Sequence, residues 1–358
     1  MSIMKKMKSI VKKNNLHCEP VEKTKSDSKS SISIKQTYND IPMNVPGDYQ
    51  KTIFLYSQRK TSLKQNEKYQ RYLTYTLGIA NPYEYHKQLI EEGYFRQART
   101  EEIVQLLTVS DIKTLLKQAN QPVSGKKADL IQRLFRSVPE QQIRQLVPSS
   151  IYALSEKGIE YLNLHADYIQ LWKHKNWDIS IEAYLDAKQK LSSSMKFNDI
   201  AWSIFNEMLI SSDDAGKLSV FRHKHDLLLE ENRPDQALYF LLVELYYELS
   251  GAIMELSISM YQKYKMLHSS EYYNLDNLRE AWIPPELAIY SKRIGELKNY
   301  YTDQMADKIC MNYHPHVHIC PPALFKRIVK DLIENGTESA EQYIPELKKM
   351  YIEYICKL

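Results

Sequence analysis

Glycine and proline are scarce in this chain, 9 and 14 among 358 residues, and cysteine occurs 4 times. So few breakers exclude a collagen-like or loop-rich fold and leave long stretches free to be helical. Cys18, Cys310, Cys320 and Cys356 are too sparse to staple a fold together, so all are expected to be free thiols in a reducing compartment. No apolar run approaches the roughly 18 residues of a membrane span. The nearest, 237–245, is short and contains Glu244. The opening stretch MSIMKKMKSIVKK has lysines throughout and no apolar run of signal-peptide length. A cytoplasmic protein without membrane contact is expected. Also missing are a G-x-x-x-x-G-K-[ST] phosphate loop, a G-x-G-x-x-G turn and a G-x-S-x-G elbow. Their absence points to a protein that is not an enzyme and needs no cofactor.

What is present is ordinary globular material: 43% hydrophobic, 26% charged, with 27 tyrosines and a formal charge of +4. The length suits two or three cores. Abundant Lys, Ile and Tyr fit a bacterial or phage-encoded protein. Residues 1–47 are rich in Lys, Ser, Asn and Thr and too poor in apolar residues to offset chain entropy, so a flexible basic tail is expected there. Lys5, Lys6, Lys8, Lys12 and Lys13 make it either a plain solvated linker or a weak tether to phosphate.

From residue 48 the pattern becomes periodic. Asn81 can cap a helix, Pro82 suits its first position and Gly93 sits where it ends. The run KQLIEEGYF and the later SIYALSEKGIEYL resemble a helix-to-strand turn and a closing strand of a winged-helix domain, in two parts at 48–106 and 137–190. The C-terminal part, 191–358, reads as helical. A turn at Asn232 to Pro234 precedes a helix carrying Ala237, Phe240, Leu241, Glu244 and Leu245 at helical spacing, and this resembles one tetratricopeptide-like hairpin. It would serve contacts with a protein partner.

Residues 107–136 carry the strongest signal. Thr108 is a natural N-cap with Asp111 as its reciprocal partner, and Ile112, Leu115 and Leu116 form one apolar stripe. Asn120 can take the left-handed conformation that ends a helix, and Pro122 prevents resumption. Ser124 is expected to cap a second helix with the apolar face Ala128, Leu130, Ile131 and Leu134. This window has a net charge of +4, as much as the entire chain. The sequence Ser124, Gly125, Lys126, Lys127 places two cations where a helix N-terminus offers unpaired N–H groups, which suits phosphate.

The window resembles a SAP domain, a small nucleic-acid-binding helical hairpin, through Thr108-Val109, Ile112-Lys113 and the run from Ser124 and Gly125 to Leu130, Ile131, Arg133 and Leu134. Asn120 stands where a Gly is customary, and Gln121 where a Leu is. The resemblance implies that Lys126 and Lys127 touch phosphate, with Thr108, Lys113 and the Gly125 backbone close by. The expected nucleic-acid-binding set is Thr108, Lys113, Lys117, Ser124, Gly125, Lys126, Lys127 and Arg133. The alternative reading of this hairpin is a helical spacer with a solvated basic face.

Other candidates for chemistry are weaker. Cys310, His314, His316, His318 and Cys320 are crowded enough to hold zinc, but Pro315 interrupts them and the spacing matches no common zinc pattern, so a polar loop and no metal site are expected. The pairs Asp213-Asp214 and Glu230-Glu231 read as solvated surface, and His223 and His225 as ordinary polar residues. Tyr246, Tyr247, Tyr272, Tyr273, Tyr300 and Tyr301 read as packing rather than stacking platforms. The fold expected is mainly α: a SAP-like hairpin within or beside a winged-helix-like domain, then an irregular helical domain. The function expected is a non-enzymatic accessory or regulatory protein bound to nucleic acid, with duplex DNA the foremost target and single-stranded DNA and RNA open. The alternatives are a helical protein-protein adaptor and a metal-dependent nuclease.

Overall fold

Helices dominate the computed structural model, which describes residues 45–63, 69–146, 151–191, 195–266, 274–336 and 340–358. The expected basic tail lies outside the described residues as far as 44, and so do Cys18, Tyr272 and Tyr273.

The chain enters on α1 (Gly47–Gln58), which buries Ile53, Phe54 and Leu55. Three short strands follow at intervals: β1 (Lys60–Ser62), β2 (Phe95–Gln97) and β3 (Ile151–Leu154). They form one antiparallel sheet in the order β1-β3-β2, with Lys60 opposite Ala153 and Phe95 opposite Leu154. Between β1 and β2 lie α2 (Tyr72–Tyr75) and α3 (Pro82–Glu91). The Asn81 side chain accepts the Tyr83 and Glu84 N–H groups at 3.2 Å, and Gly93, at φ +80°, turns the chain toward β2. These stops and starts fall where the sequence places them.

Between β2 and β3 come α4 (Thr100–Leu106), α5 (Val109–Gln118), α6 (Lys127–Ser137) and α7 (Glu140–Leu146), and after β3 the chain makes α8 (Glu156–Leu164). Ser155 caps α8 through the Gly158 N–H at 3.1 Å, and its hydroxyl donates to the Gly93 carbonyl at 2.6 Å. The helix lies so close to the turn before β2 that a Cβ on Gly158 would sit 2.3 Å from the Tyr94 carbonyl oxygen. Because that neighbour is backbone, relief requires moving a strand end. Gly158→Ala is therefore expected to cost about 1–3 kcal/mol by overpacking, measured by urea unfolding; unchanged stability would show that α8 does not hold this approach.

The core behind the sheet joins α1 to α9 (Ala166–Lys173), α10 (Ile181–Lys190) and α11 (Phe197–Ser211), with Trp177, Tyr184 and Phe205 fully enclosed. Val220 and Leu227 of α12 (Asp214–Glu230) belong to the same core, so the boundary expected at 190–191 falls inside continuous packing. A second core unites α12 with α13 (Pro234–Leu249), α16 (Leu287–Leu297), α17 (Asp303–Asn312) and α18 (Pro322–Glu334). Two shorter helices, α14 (Glu255–Met266) and α15 (Leu275–Glu280), pack with α19 (Ile344–Ile355). The α12–α13 hairpin turns at Asn232, at φ +55°, and Tyr246 and Tyr247 are buried as expected.

Several polar residues read as solvated are not. Asp214 is fully enclosed, held by Lys217 at 2.9 Å. Glu231 is half-buried, accepting from Asn198 at 3.2 Å and the Trp202 indole N–H at 3.4 Å. His223 and His225 are buried too, and His225 Nδ1 meets the Ala237 carbonyl at 2.8 Å. Apart from Lys217, their partners come from distant segments of the chain, such as the His316 N–H for Asp214, which a local reading of charge cannot supply.

Candidate nucleic-acid interface

Residues 98–150 leave the sheet at the end of β2 and return at β3. They contain α4 (Thr100–Leu106), α5 (Val109–Gln118), α6 (Lys127–Ser137) and α7 (Glu140–Leu146). The excursion is closed at its base by backbone, since the Ala98 N–H donates to the Ile151 carbonyl at 2.9 Å. Buried Thr100 adds a side-chain tie: its hydroxyl donates to Glu140 at 2.6 Å and accepts from Arg144 Nε at 2.9 Å. Arg96 of β2 then grips Glu102 of α4 with two bonds, at 2.7 and 2.8 Å, while Glu102 also accepts the Arg99 N–H at 2.8 Å.

The Arg96 guanidinium holds the Glu102 carboxyl down at about 2. A folded-state value below the unfolded one means the ion pair contributes its full stability above about pH 4.5 and loses it as pH falls toward 2. Both side chains are partly exposed, so screening cuts the contribution to about 1–2 kcal/mol. The stability gap between the native protein and Glu102→Gln is expected to be constant near neutrality and to close below about pH 4. A gap independent of pH would refute the assignment.

Within the excursion the two central helices form the expected hairpin with a core of its own. Ile112, Leu115 and Leu116 of α5 meet Leu130 and Leu134 of α6, and Val104, Val138 and Ile143 complete the cluster. Thr108 and Asp111 cap α5 reciprocally: the Thr108 hydroxyl accepts the Asp111 N–H at 3.2 Å, and the Asp111 carboxylate accepts the Thr108 N–H at 2.9 Å. The Thr108 hydroxyl also donates to that carboxylate at 2.7 Å, and this bond together with the Thr108 N–H holds the Asp111 carboxyl below its usual range. Asn120 ends α5 at φ +54°, so the departure from Gly is absorbed by a left-handed Asn. The other departure, Gln121, is half-buried at the edge, with its amide 3.5 Å from the Ala119 carbonyl.

Two details of the second helix differ from expectation. Ser124 does not cap it; the N-cap is Lys126, whose N–H meets the Asp129 carboxylate at 3.3 Å. An acid three residues into the helix does the work that a preceding hydroxyl was expected to do. Ala128 is exposed, so the buried face consists of Leu130 and Leu134, with Ile131 half-buried.

The expected contact residues therefore fall into two groups. Thr108, Lys117, Ser124, Gly125, Lys126 and Lys127 are exposed, and Lys113 is half-buried. Gly125, at φ +126°, Lys126 and Lys127 form a corner at the start of α6, and Lys127 Nζ reaches back to the Gln105 carbonyl at 2.9 Å. Half-buried Arg133 is occupied otherwise: its Nη1 donates to the Pro122 and Ser124 carbonyls at 2.6 and 3.0 Å, fixing the turn that presents the corner. The only acids of the window, Asp111 and Asp129, are both engaged in capping backbone N–H groups. The cations on the surface are thus opposed by no free carboxylate of the hairpin.

Elsewhere, the residues weighed as zinc ligands do not converge. His314, His316 and His318 share the exposed side of an extended stretch, while Pro315, Val317 and Ile319 point inward. Cys320 is buried, its thiol pushed far up by desolvation, so it faces away from the histidines. His316 instead meets Glu255 at 2.8 Å beside Asp214, and these are the residues whose ligand atoms approach one another closely enough to share an ion among those described. Each carboxylate there already accepts a backbone N–H, Asp214 from His316 and Glu255 from Asp214, which makes the group a latch joining α12, α14 and the 313–321 segment. A second acidic pair, Glu244 and Glu248, is held internally: Arg222 Nε donates to Glu244 at 2.9 Å and the Tyr290 hydroxyl to Glu248 at 2.5 Å, while Glu244 Oε2 has no hydrogen bond and faces Arg293 at 3.5 Å. Neither cluster was visible in the sequence, because the partner residues lie on separate helices.

The SAP domain family model matches residues 103–134. The chain thus carries a SAP domain, a type of DNA-binding module, inserted between two neighbouring strands of a mainly helical protein. The match starts at 103 rather than at 107, taking in Ile103 and Val104 of α4, and Val104 does belong to the hairpin's core. No curated protein and no solved structure gives a significant match to the chain.

Proposed function

We propose that this protein is a non-enzymatic nucleic-acid-binding accessory factor whose SAP domain grips the phosphate backbone of duplex DNA. The observation that carries the reading is the corner at Gly125, Lys126 and Lys127: exposed cations and an open helix start, with Asp111 and Asp129 both engaged in capping. Lys126 and Lys127 contact phosphate, Lys113 and Lys117 extend the basic face along α5, and Thr108 flanks it. Arg133 keeps the turn in shape rather than meeting DNA. A surface of ammonium groups and backbone N–H recognises phosphate without reading base edges, so sequence preference is weak.

Binding of a labelled duplex, followed by fluorescence anisotropy, tests this. Phosphate contacts by Lys113, Lys117, Lys126 and Lys127 would give a slope of about −3.6 in log affinity against log salt. Affinity that is the same at about 50 and about 300 mM salt would defeat the proposal.

A further inference from the structure

A cleft of about 360 Å³ opens between α1, α2, α9 and the turn leading to α10. Its walls include Tyr49, Tyr72 and Trp172, and Thr76, Lys175 and Ile181 also line it. Tyr72 and Trp172 are half-buried, their ring centroids 4.9 Å apart and their planes inclined at 43°. Such rings pack against the body on one side and leave surface open on the other. Lys175 is exposed, its ammonium 5.6 Å from the Trp172 ring centroid, and it is the one charged residue lining the cleft among the described residues. Exposed Arg71 and Lys173 neighbour the two rings in sequence.

An apolar floor, aromatic walls, hydroxyls and a single cation at the edge suit a planar heteroaromatic ring bearing an anionic group. We infer that this cleft receives one unpaired nucleotide of a single strand, its base against Tyr72 and Trp172 and its phosphate beside Lys175. Stacking of this kind tolerates any base, because every base has a π-face. The inference rests on the SAP domain only for delivery of the DNA. A paired base inside a duplex does not reach such a cleft without leaving its stack.

The test uses the full chain and two labelled probes, a blunt duplex and the same duplex with a short single-stranded thymine tail. The tailed probe is expected to bind about tenfold tighter than the blunt one. Trp172→Ala and the surface change Lys175→Glu should each abolish that advantage while blunt-duplex affinity stays within about twofold for Trp172→Ala. Equal binding of the two probes would overturn the inference, as would an advantage that survives both substitutions. Lys126→Glu with Lys127→Glu should weaken both probes together. If it does not, the SAP reading fails alone, since the ratio between probes still reports the cleft.

Discussion

Lys126→Glu combined with Lys127→Glu is expected to weaken duplex binding by at least about thirtyfold and to flatten the salt dependence by about 2 in slope. Each substitution removes a counterion-releasing contact and puts a negative charge against phosphate. Both side chains are exposed, and neither belongs to the hairpin's core, so the fold should be indifferent. Arg136→Glu is the informative control. It makes the same charge change on an exposed residue at the far end of α6, and should cost only about threefold. Equal losses from Arg136 and from either lysine would show diffuse attraction rather than a contact corner. Circular dichroism should be unchanged in all variants.

Leu134→Ala is expected to have the largest effect on structure. Leu134 is fully buried in a core of eight residues, and its truncation costs about 2–5 kcal/mol. A core that small supplies only about 3–5 kcal/mol. The SAP domain should therefore unfold locally while the helical body stays intact. Hydrogen exchange should show amides in 109–137 losing protection while those of α13 keep theirs. Duplex binding through the corner should vanish with the module. Unchanged protection, or loss throughout the protein at once, would contradict the independence of this core.

The hairpin was legible because its information is local. Thr108 with Asp111, the left-handed Asn120 and the stripe of Ile112, Leu115 and Leu116 all act within a few residues of one another. The assignment of Ser124 as cap failed where two local solutions compete, a hydroxyl before the helix or Asp129 within it, and composition does not rank them. Burial of Asp214, Glu231 and His225 was illegible for a different reason. A carboxylate or imidazole reads as surface until its partners are known, and apart from Lys217 beside Asp214 those partners sit on other segments of the chain. Lys224 shows the same limit: it is buried over the rings of Trp202 and Phe240, and burial pushes its ammonium down to about 8. The nucleotide cleft likewise gathers Tyr49, Tyr72 and Trp172 from three helices, so no stretch of sequence announces it.

The chain between β2 and β3 leaves and rejoins neighbouring antiparallel strands, tied at the base by the Ala98 to Ile151 hydrogen bond. In terms of chain design, the SAP domain sits in a cassette that can be cut out. The ends it would leave behind are already side by side, at the separation a hairpin turn spans, so a short Asn-Gly turn joining β2 to β3 would close the same sheet. The body without the cassette becomes an object in its own right, one on which the nucleotide cleft can be studied with the phosphate grip cut away rather than mutated.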